Sequence, residues 1–312
     1  MRKTIEVFLL NIIICWPNRF AIWFVFVLIH FFHPYVSILP GKVTHLIKKC
    51  ILFPPESLML SSTGCLIIFR ENLVIKIPLC KYSIKSLAKE YSNYCSIKKS
   101  CFSKITDYHL IKNMEYGYVY YEMSRLEAHS WDENHGVDLI LAVLKNCPGD
   151  ECSFYDIPEQ HLGLKILIKH APKQCQQKLI HMAAVLAKNT CQAVPMHGDL
   201  TPLNIMFSSG KPVIVDLDRF EFQGLPFIDE IHYRIEKEAK INKWNSYKQF
   251  KELCETSINS DFSYSPLKLA SYIYFRVGAE HREGYKNSRA YYKRAVSISL
   301  FLADAISAAG RK

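Results

Sequence analysis

Three polar residues in the middle of the chain have the types and spacing that chemistry at a phosphate group needs. Asp199 and Asn204 lie five residues apart in a polar stretch, and Asp216 directly follows the apolar run 212–215. A carboxylate on an exposed loop can accept a proton from an attacking hydroxyl. An amide oxygen and a second carboxylate suit Mg²⁺, which takes its other ligands from water and substrate phosphates. Phosphoryl transfer needs mainly positioning and charge neutralisation, so these residues indicate that reaction.

The motif around these residues is specific enough to resemble a known family. Residues 197–204 read HGDLTPLN, and residues 215–218, at the end of the apolar run, read VDLD. This pattern resembles the HGDxxxxN loop and the following strand of the aminoglycoside phosphotransferase and choline kinase superfamily, whose members are relatives of the protein kinases. The resemblance extends over residues 50–312, and its specific part is residues 195–230.

The resemblance implies a role for each residue of the motif. Asp199 would be the catalytic base, and Asn204 and Asp216 would bind Mg²⁺, with Asp218 as an auxiliary acidic residue near the metal. His197 shares the catalytic loop with Asp199 and is expected to orient that loop. The expected phosphate donor is ATP, and the expected acceptor is a hydroxyl of a small molecule, sugar or glycolipid.

The resemblance also implies residues outside the motif. Lys76 would hold the α- and β-phosphates of ATP with Glu90 as its helix partner, and the adenine would lie near Met123. Asp229 would brace the catalytic loop. An ordinary exposed lysine and glutamate remain the alternative for Lys76 and Glu90. The chain departs from the family in its phosphate-binding loop, because only Gly64 stands where several glycines are usual.

The elements that must position these residues form an α+β pattern before the motif and a helical pattern around it. Residues 66–69 and 73–77 predict a hairpin, residues 82–99 a helix and residues 118–123 a further strand. Helices are predicted over residues 137–146, 174–190, 229–256 and 265–308. We therefore predict a bilobal protein-kinase-like fold. A small antiparallel β-rich N-lobe would cover residues 41–126, and a larger, mainly helical C-lobe would cover residues 127–312.

An apolar extension, residues 1–40, precedes the predicted lobes. Its two apolar runs, 7–16 and 20–32, are individually shorter than the roughly 20 residues that span a bilayer. Three alternatives remain open: a membrane anchor, a hairpin lying in the membrane interface, and a soluble helix packed on the N-lobe. We favour membrane association, with the catalytic lobes at the cytoplasmic face.

Composition narrows the compartment and the partners. The 11 cysteines include no CxxC pair, which favours reduced thiols and a cytoplasmic location. The net charge is +10, and residues 1–40 contribute only +2 of it, so the folded part is basic. A basic protein suits an anionic or glycan acceptor better than a cationic one. Beyond net charge, no motif indicates nucleic acid, so we expect none as a partner.

Three other functions remain as alternatives. A pseudokinase-like nucleotide-binding module would explain the poor glycine loop, but the complete set of Asp199, Asn204 and Asp216 argues against it. A protein serine/threonine kinase is disfavoured, because Gly198 replaces the arginine usual in such loops and no APE-like stretch follows Asp216. A membrane protein acting mainly through residues 1–40 is disfavoured by the size of the remainder.

Overall fold

The computed structural model describes residues 57–61, 64–115, 118–128, 135–243, 245–259, 264–282 and 289–309. Within these ranges, no helix is both long enough and apolar enough to cross a membrane. The apolar extension lies outside them, so its membrane association stays a prediction. The chain divides into two compact units, which are described separately. The first comprises Met1–Ala128 and Met206–Asp218, and the second comprises His129–Ile205 and Arg219–Lys312.

The first unit is built on a five-stranded antiparallel sheet. Its strands are β1 (Ser57–Leu60), β2 (Cys65–Phe69), β3 (Leu73–Pro78), β4 (Leu110–Glu115) and β5 (Tyr118–Ser124), in the spatial order β1-β2-β3-β5-β4. The predicted hairpin is present, with Phe69 opposite Val74 at its turn. Strand β4 was not predicted, because Leu110 is its one buried residue and the strand shows only a weak apolar pattern.

Helix α1 (Lys81–Lys98) lies within one residue of its predicted limits. Ser83 and Cys80 cap its first turn reciprocally: the Cys80 N–H donates to Ser83 Oγ at 3.1 Å, and the Ser83 N–H donates to Cys80 Sγ at 3.5 Å. Its buried residues recur at steps of three and four, as expected of a helix with one face on a core. They are Ser83, Leu87, Glu90, Tyr94 and Ile97.

A second, three-stranded sheet completes the first unit. Its strands are β6 (Glu127–Ala128), β10 (Ile205–Ser208) and β11 (Lys211–Ile214), in the order β11-β10-β6. Met206 pairs with Ala128 and Phe207 with Glu127, so a strand that directly follows the HGDLTPLN motif joins one from residues 127–128. Strand β11 ends two residues before Asp216, as the apolar run predicted.

The second unit is mainly helical. Its helices are α2 (His135–Lys145), α3 (Pro158–His170), α4 (Lys173–Ala187), α5 (Ile228–Ile241), α6 (Ser246–Asn259), α7 (Pro266–Arg282) and α8 (Arg289–Ala309). Two strand pairs accompany them: β7 (Glu151–Ser153) with β8 (Thr190–Gln192), and β9 (Val194–Met196) with β12 (Glu221–Gly224). The predicted helices over 229–256 and 265–308 are each two helices, and α3 was missed because polar residues interrupt its apolar face.

Helices α3 and α7 pack together with their backbones in close approach. A Cβ atom added to Gly163 would lie 1.9 Å from the Tyr274 carbonyl oxygen, and one added to Gly278 would lie 1.8 Å from the Glu159 carbonyl oxygen. Tyr274 itself is fully buried. Glycine at both positions therefore permits the close approach of the two helices. Helix α7 also carries Arg276, a residue of the candidate functional site.

The predicted fold class is confirmed: one unit holds the antiparallel sheet and α1, and the other is mainly helical. The cysteines in the described ranges are all free thiols. The lobe limits of 41–126 and 127–312 stay a prediction, and the structure groups Met206–Asp218 with the first unit.

Candidate functional site

The loop that carries Asp199 follows β9 and is fastened by Asp229 at the start of α5. The carboxylate of Asp229 accepts the N–H of His197 at 2.6 Å through Oδ2 and the N–H of Gly198 at 2.9 Å through Oδ1. Burial raises the pKa of Asp229, while His197 and the two N–H donors act in the opposite direction. The bracing contact that the resemblance implied for Asp229 is therefore present in the structure.

Gly198 is required by the path of this loop. Its φ is +78°, which lies in the left-handed region that residues with a Cβ atom rarely adopt. An added Cβ atom would also lie 2.8 Å from the carbonyl oxygen of Arg219. The conformation and the close approach together explain why glycine occupies the position between His197 and Asp199.

Contacts within the loop fix the backbone around Asp199. The N–H of Asp199 donates to Nδ1 of His197 at 3.3 Å, and the amide nitrogen of Asn204 donates to the Asp199 carbonyl at 2.9 Å. His197 is fully buried, in keeping with a loop-orienting role. Because Asn204 uses its amide nitrogen here, its amide oxygen is left for another partner, such as a cation.

Three side chains contact one oxygen of the Asp199 carboxylate. Oδ1 lies 2.8 Å from Arg276 Nη1, 2.9 Å from Arg219 Nη1 and 3.0 Å from His232 Nε2. The Asp199 side chain keeps 24% of its surface exposed. Burial by itself would raise the pKa of Asp199, but Arg276, His232 and Arg219 together hold it well below its ordinary value. Asp199 is therefore a carboxylate at neutral pH.

Two of these three side chains, His232 and Arg276, also contact residues on their far side. Nδ1 of His232 lies 2.8 Å from the hydroxyl of Tyr272, and Nε of Arg276 donates to Glu280 at 2.8 Å. Sequence reasoning missed these residues, because they lie 33 to 81 positions after Asp199 in helices whose other residues follow an ordinary apolar pattern. The only signal in the sequence was that a histidine and an arginine stand on the apolar faces of predicted helices.

In the first unit, Lys76 on β3 and Glu90 on α1 form a buried ion pair. Lys76 Nζ lies 2.7 Å from Glu90 Oε1, and both side chains are almost fully buried. Burial alone would lower the pKa of Lys76, but Glu90 and the nearby Asp216 raise it, so the ammonium stays charged. The alternative of an ordinary exposed lysine and glutamate is wrong.

Helix α1 also contacts the segment that contains Asp216 and Asp218. Ser86 Oγ donates to Asp218 Oδ2 at 2.6 Å, and the Asn93 amide donates to the carbonyl of Leu217 at 2.7 Å. Asp216 itself has φ +62°, a conformation that aspartate tolerates better than most residues. One face of α1 thus contacts both Lys76, through Glu90, and this acidic segment, through Ser86 and Asn93. Neither Ser86 nor Asn93 was predicted.

Met123 lies within the sheet of the first unit. Strand β5 continues through Ser124, and Met123 pairs with Val74 on one side and Leu110 on the other. The N–H of Ser124 donates to the backbone carbonyl of His109, and the N–H of Arg125 donates to the backbone carbonyl of Asn72. These two donors are already used in the structure, so an adenine near Met123 stays a prediction.

The predicted site residues therefore fall into two groups. His197, Asp199 and Asn204 lie together in the second unit, whereas Lys76, Glu90, Asp216 and Asp218 lie together in the first. Within the described part of the chain, no cluster of three or more histidine, cysteine, aspartate or glutamate side chains is arranged to hold a metal. The oxygens of Asn204 and Asp216 fit Mg²⁺ in type, since that ion needs few protein ligands.

Comparison with known proteins identifies the fold. No family model matches the sequence, and no curated protein matches it. The ADP-bound aminoglycoside phosphotransferase APH(2'')-Ib is similar in structure, with a TM-score of 0.50 and 13% identity over 86% of this chain and 99% of that one. The choline kinase LicA from Streptococcus pneumoniae has a TM-score of 0.48 and 14% identity over 85% of this chain and 99% of that one.

A choline/ethanolamine kinase family protein from Mesorhizobium loti has a TM-score of 0.48 and 11% identity over 85% of this chain and 95% of that one. The similarity to APH(2'')-Ib confirms the predicted fold: this chain has the fold of the aminoglycoside phosphotransferases. At 13% identity this similarity concerns the fold alone.

Proposed function

We propose that this chain is an ATP-dependent phosphotransferase that moves the γ-phosphate to a hydroxyl of a small molecule, sugar or glycolipid. The observation that carries the proposal is the geometry of the 197–204 loop. Asp229 fastens the loop through two backbone N–H groups, and the Asp199 carboxylate stays partly exposed. A partly exposed, ionised carboxylate on a fastened loop suits the acceptance of a hydroxyl hydrogen bond during transfer.

The nucleotide would be bound by residues of the first unit. A buried, charged Lys76 that is paired with Glu90 suits the α- and β-phosphates, which carry the opposite charge. Asn204 and Asp216 would hold Mg²⁺, with Asp218 as an auxiliary residue, and the ion would neutralise charge on the phosphates. Adenine contacts near Met123 belong to the same proposal.

The acceptor class follows from the groups beside Asp199. A cationic acceptor would bring its ammonium group towards the guanidinium groups of Arg219 and Arg276, both within 3 Å of Oδ1. Glu280 offsets part of that charge through its bond to Arg276. We propose a neutral or anionic acceptor, such as a glycan, in preference to an aminoglycoside or choline.

A second candidate is a nucleotide-binding module that transfers phosphate poorly. The contacts of Asp199 favour it, because a carboxylate oxygen with two hydrogen-bond donors and a further guanidinium group beside it is a weak base. Phosphoryl transfer has a loose transition state that demands little of a base, so these contacts are compatible with either function.

The test measures transfer and binding separately. Labelled ATP is incubated with the purified full-length chain and Mg²⁺ across sugars, lipopolysaccharide fractions, choline-like amines and aminoglycosides, and ATP affinity is measured by calorimetry. Mg²⁺-dependent labelling of a sugar or glycolipid supports the phosphotransferase, whereas ATP binding without labelling supports the second candidate. If the chain neither binds ATP nor labels any acceptor, both candidate functions are contradicted.

The variant Asp216→Asn sharpens this test. Asparagine tolerates a positive φ almost as well as aspartate, so the backbone at this position is expected to persist. The charge for Mg²⁺ is lost, and we expect the Mg²⁺ concentration needed for half-maximal turnover to rise at least about tenfold. An unchanged Mg²⁺ dependence would remove Asp216 from the proposed metal ligands.

A further inference from the structure

The carboxylate of Asp199 is unusual in how one of its two oxygens is used. Arg219, His232 and Arg276 all contact Oδ1, and among the described residues the hydrogen bonds and ion pairs to this carboxylate all go to that oxygen. His232 lies on α5 and Arg276 on α7, so two helices far apart in sequence meet at a single atom of the loop.

The His232 contact defines a direction for its hydrogen bonds. Oδ1 of an ionised carboxylate can only accept, so His232 Nε2 carries the hydrogen. Its Nδ1, when the ring is neutral, then accepts from the hydroxyl of Tyr272 at 2.8 Å. His232 and Tyr272 are both buried, so this chain of hydrogen bonds sets the ring tautomer and orientation.

The Arg276 contact is fixed in a similar way. Its guanidinium spans two carboxylates, with Nη1 on Asp199 and Nε on Glu280, both at 2.8 Å. A planar group held at two edges cannot rotate without breaking one of the bonds. The position of Asp199 Oδ1 is thereby tied to α7, which packs against α3 through the glycines described above.

Resting on the proposed function, we infer that His232 and Arg276 are positioning residues of the reaction: they hold Oδ1 of Asp199 so that Oδ2 receives the acceptor hydroxyl. An aspartate side chain on a loop otherwise rotates among several rotamers. Transfer requires the carboxylate, hydroxyl and phosphate in one arrangement, and a misplacement of about 1 Å costs about a hundredfold in rate. Anchoring one oxygen removes that freedom and leaves the other for the acceptor.

The test uses four variants of the full-length chain. His232→Ala and Arg276→Gln are each expected to lower kcat about tenfold to a hundredfold, with KM for ATP changed less than about threefold. His232→Gln keeps an N–H donor for Oδ1 and is expected to recover most of the kcat lost in His232→Ala. Arg276→Lys keeps the charge but cannot bridge two carboxylates, so its recovery is expected to be smaller.

Helix α7, which carries Arg276, also provides matched controls. His281 contacts the hydroxyl of Tyr292 at 3.0 Å through Nδ1, and Arg282 pairs with Glu159. These residues make the same kinds of contact as His232 and Arg276, but they do not contact Asp199 in the described structure. His281→Gln and Arg282→Gln are expected to keep the wild-type kcat. Thermal unfolding of every variant separates a loss of stability from a loss of rate in the folded protein.

The outcomes separate this inference from the function on which it rests. A wild type without phosphate transfer overturns both. An active wild type with unchanged kcat in His232→Ala and Arg276→Gln overturns the inference alone. The inference is also overturned if the loss of folded protein accounts for the lower kcat of these variants. The same holds if His232→Gln recovers none of the kcat that is lost in His232→Ala.

Discussion

The two units of this protein hold their functional charges in different ways. In the first unit, Lys76 and Glu90 form a buried ion pair, with Asp216 nearby. In the second, the carboxylate of Asp199 is partly exposed, and three side chains from separate parts of the chain contact one of its oxygens. Removing one member of a buried pair leaves the other charge uncompensated, whereas a charge with several contacts loses only part of its support when one is removed.

This comparison predicts that Lys76→Met has the largest effect. Removing the lysine leaves Glu90 buried without its counter-charge, which is expected to cost about 3–5 kcal/mol of unfolding free energy. ATP turnover is expected to fall at least about a hundredfold, since the phosphates lose their cation. Chemical denaturation and steady-state kinetics measure the two effects.

A double variant separates the two effects of Lys76. In Lys76→Met/Glu90→Leu both buried charges are gone, so most of the lost stability is expected to return while turnover stays low. A double variant as unstable as Lys76→Met would show that the unpaired charge of Glu90 is not the cause.

The next largest effect is expected for Asp229→Asn in the second unit. The amide nitrogen of asparagine cannot accept, so one of the N–H groups of His197 and Gly198 loses its partner in a buried place. We expect a loss of about 1–3 kcal/mol in unfolding free energy. Turnover is expected to fall by about a hundredfold, because the loop with Asp199 shifts. Wild-type kcat in the folded variant would show that the bracing contact is unnecessary.

A smaller effect on turnover is expected from Gly278→Ala, which disturbs the support of Asp199 from a distance. The added Cβ atom meets the Glu159 carbonyl, so α3 and α7 must separate, at a cost of about 1–3 kcal/mol. Gly210→Ala is the matched control, because its Cβ atom would meet nothing within 4 Å and only the positive φ is strained. Equal losses of unfolding free energy in the two variants would contradict the close packing of these helices.

The smallest effect is expected from Ser86→Ala on α1. It removes the 2.6 Å bond to Asp218, which is partly buried, and is expected to cost about 1 kcal/mol. KM for ATP is expected to rise only a few-fold, since a loss of about 1.4 kcal/mol of binding free energy corresponds to a tenfold change in affinity. Ser96→Ala is the control on the same helix, because Ser96 Oγ donates to the carbonyl of Ser92 at an exposed position. Identical KM values in the two variants would remove Ser86 from the support of the acidic segment.

The two regions also differ in how far the sequence predicts them. Lys76 and Glu90 were predictable because the resemblance implies a lysine on a strand and a glutamate on the next helix, and local patterns mark both elements in the chain. The loop 197–204 was predictable because its residue types are constrained by chemistry and by the positive φ of Gly198.

The support of Asp199 was not predictable in the same way. His232, Tyr272 and Arg276 occupy helices α5 and α7, where burial depends on tertiary packing that no local pattern encodes. The division of residues 229–256 and 265–308 into two helices each was missed for a related reason. Residues 242–245 and 283–288, between the paired helices, contain no proline and only one glycine, Gly284, so no strong helix-breaking signal marked the ends.

The most direct measurement is transfer of labelled phosphate from ATP by the wild type and by Asp199→Asn. Asp304→Asn is the control, since Asp304 lies on α8 and pairs with the surface residue Lys178. We predict that Asp199→Asn lowers kcat at least about a hundredfold while ATP affinity stays within about threefold, and that Asp304→Asn matches the wild type. Equal transfer by the wild type and Asp199→Asn would contradict the proposed role of the 197–204 loop.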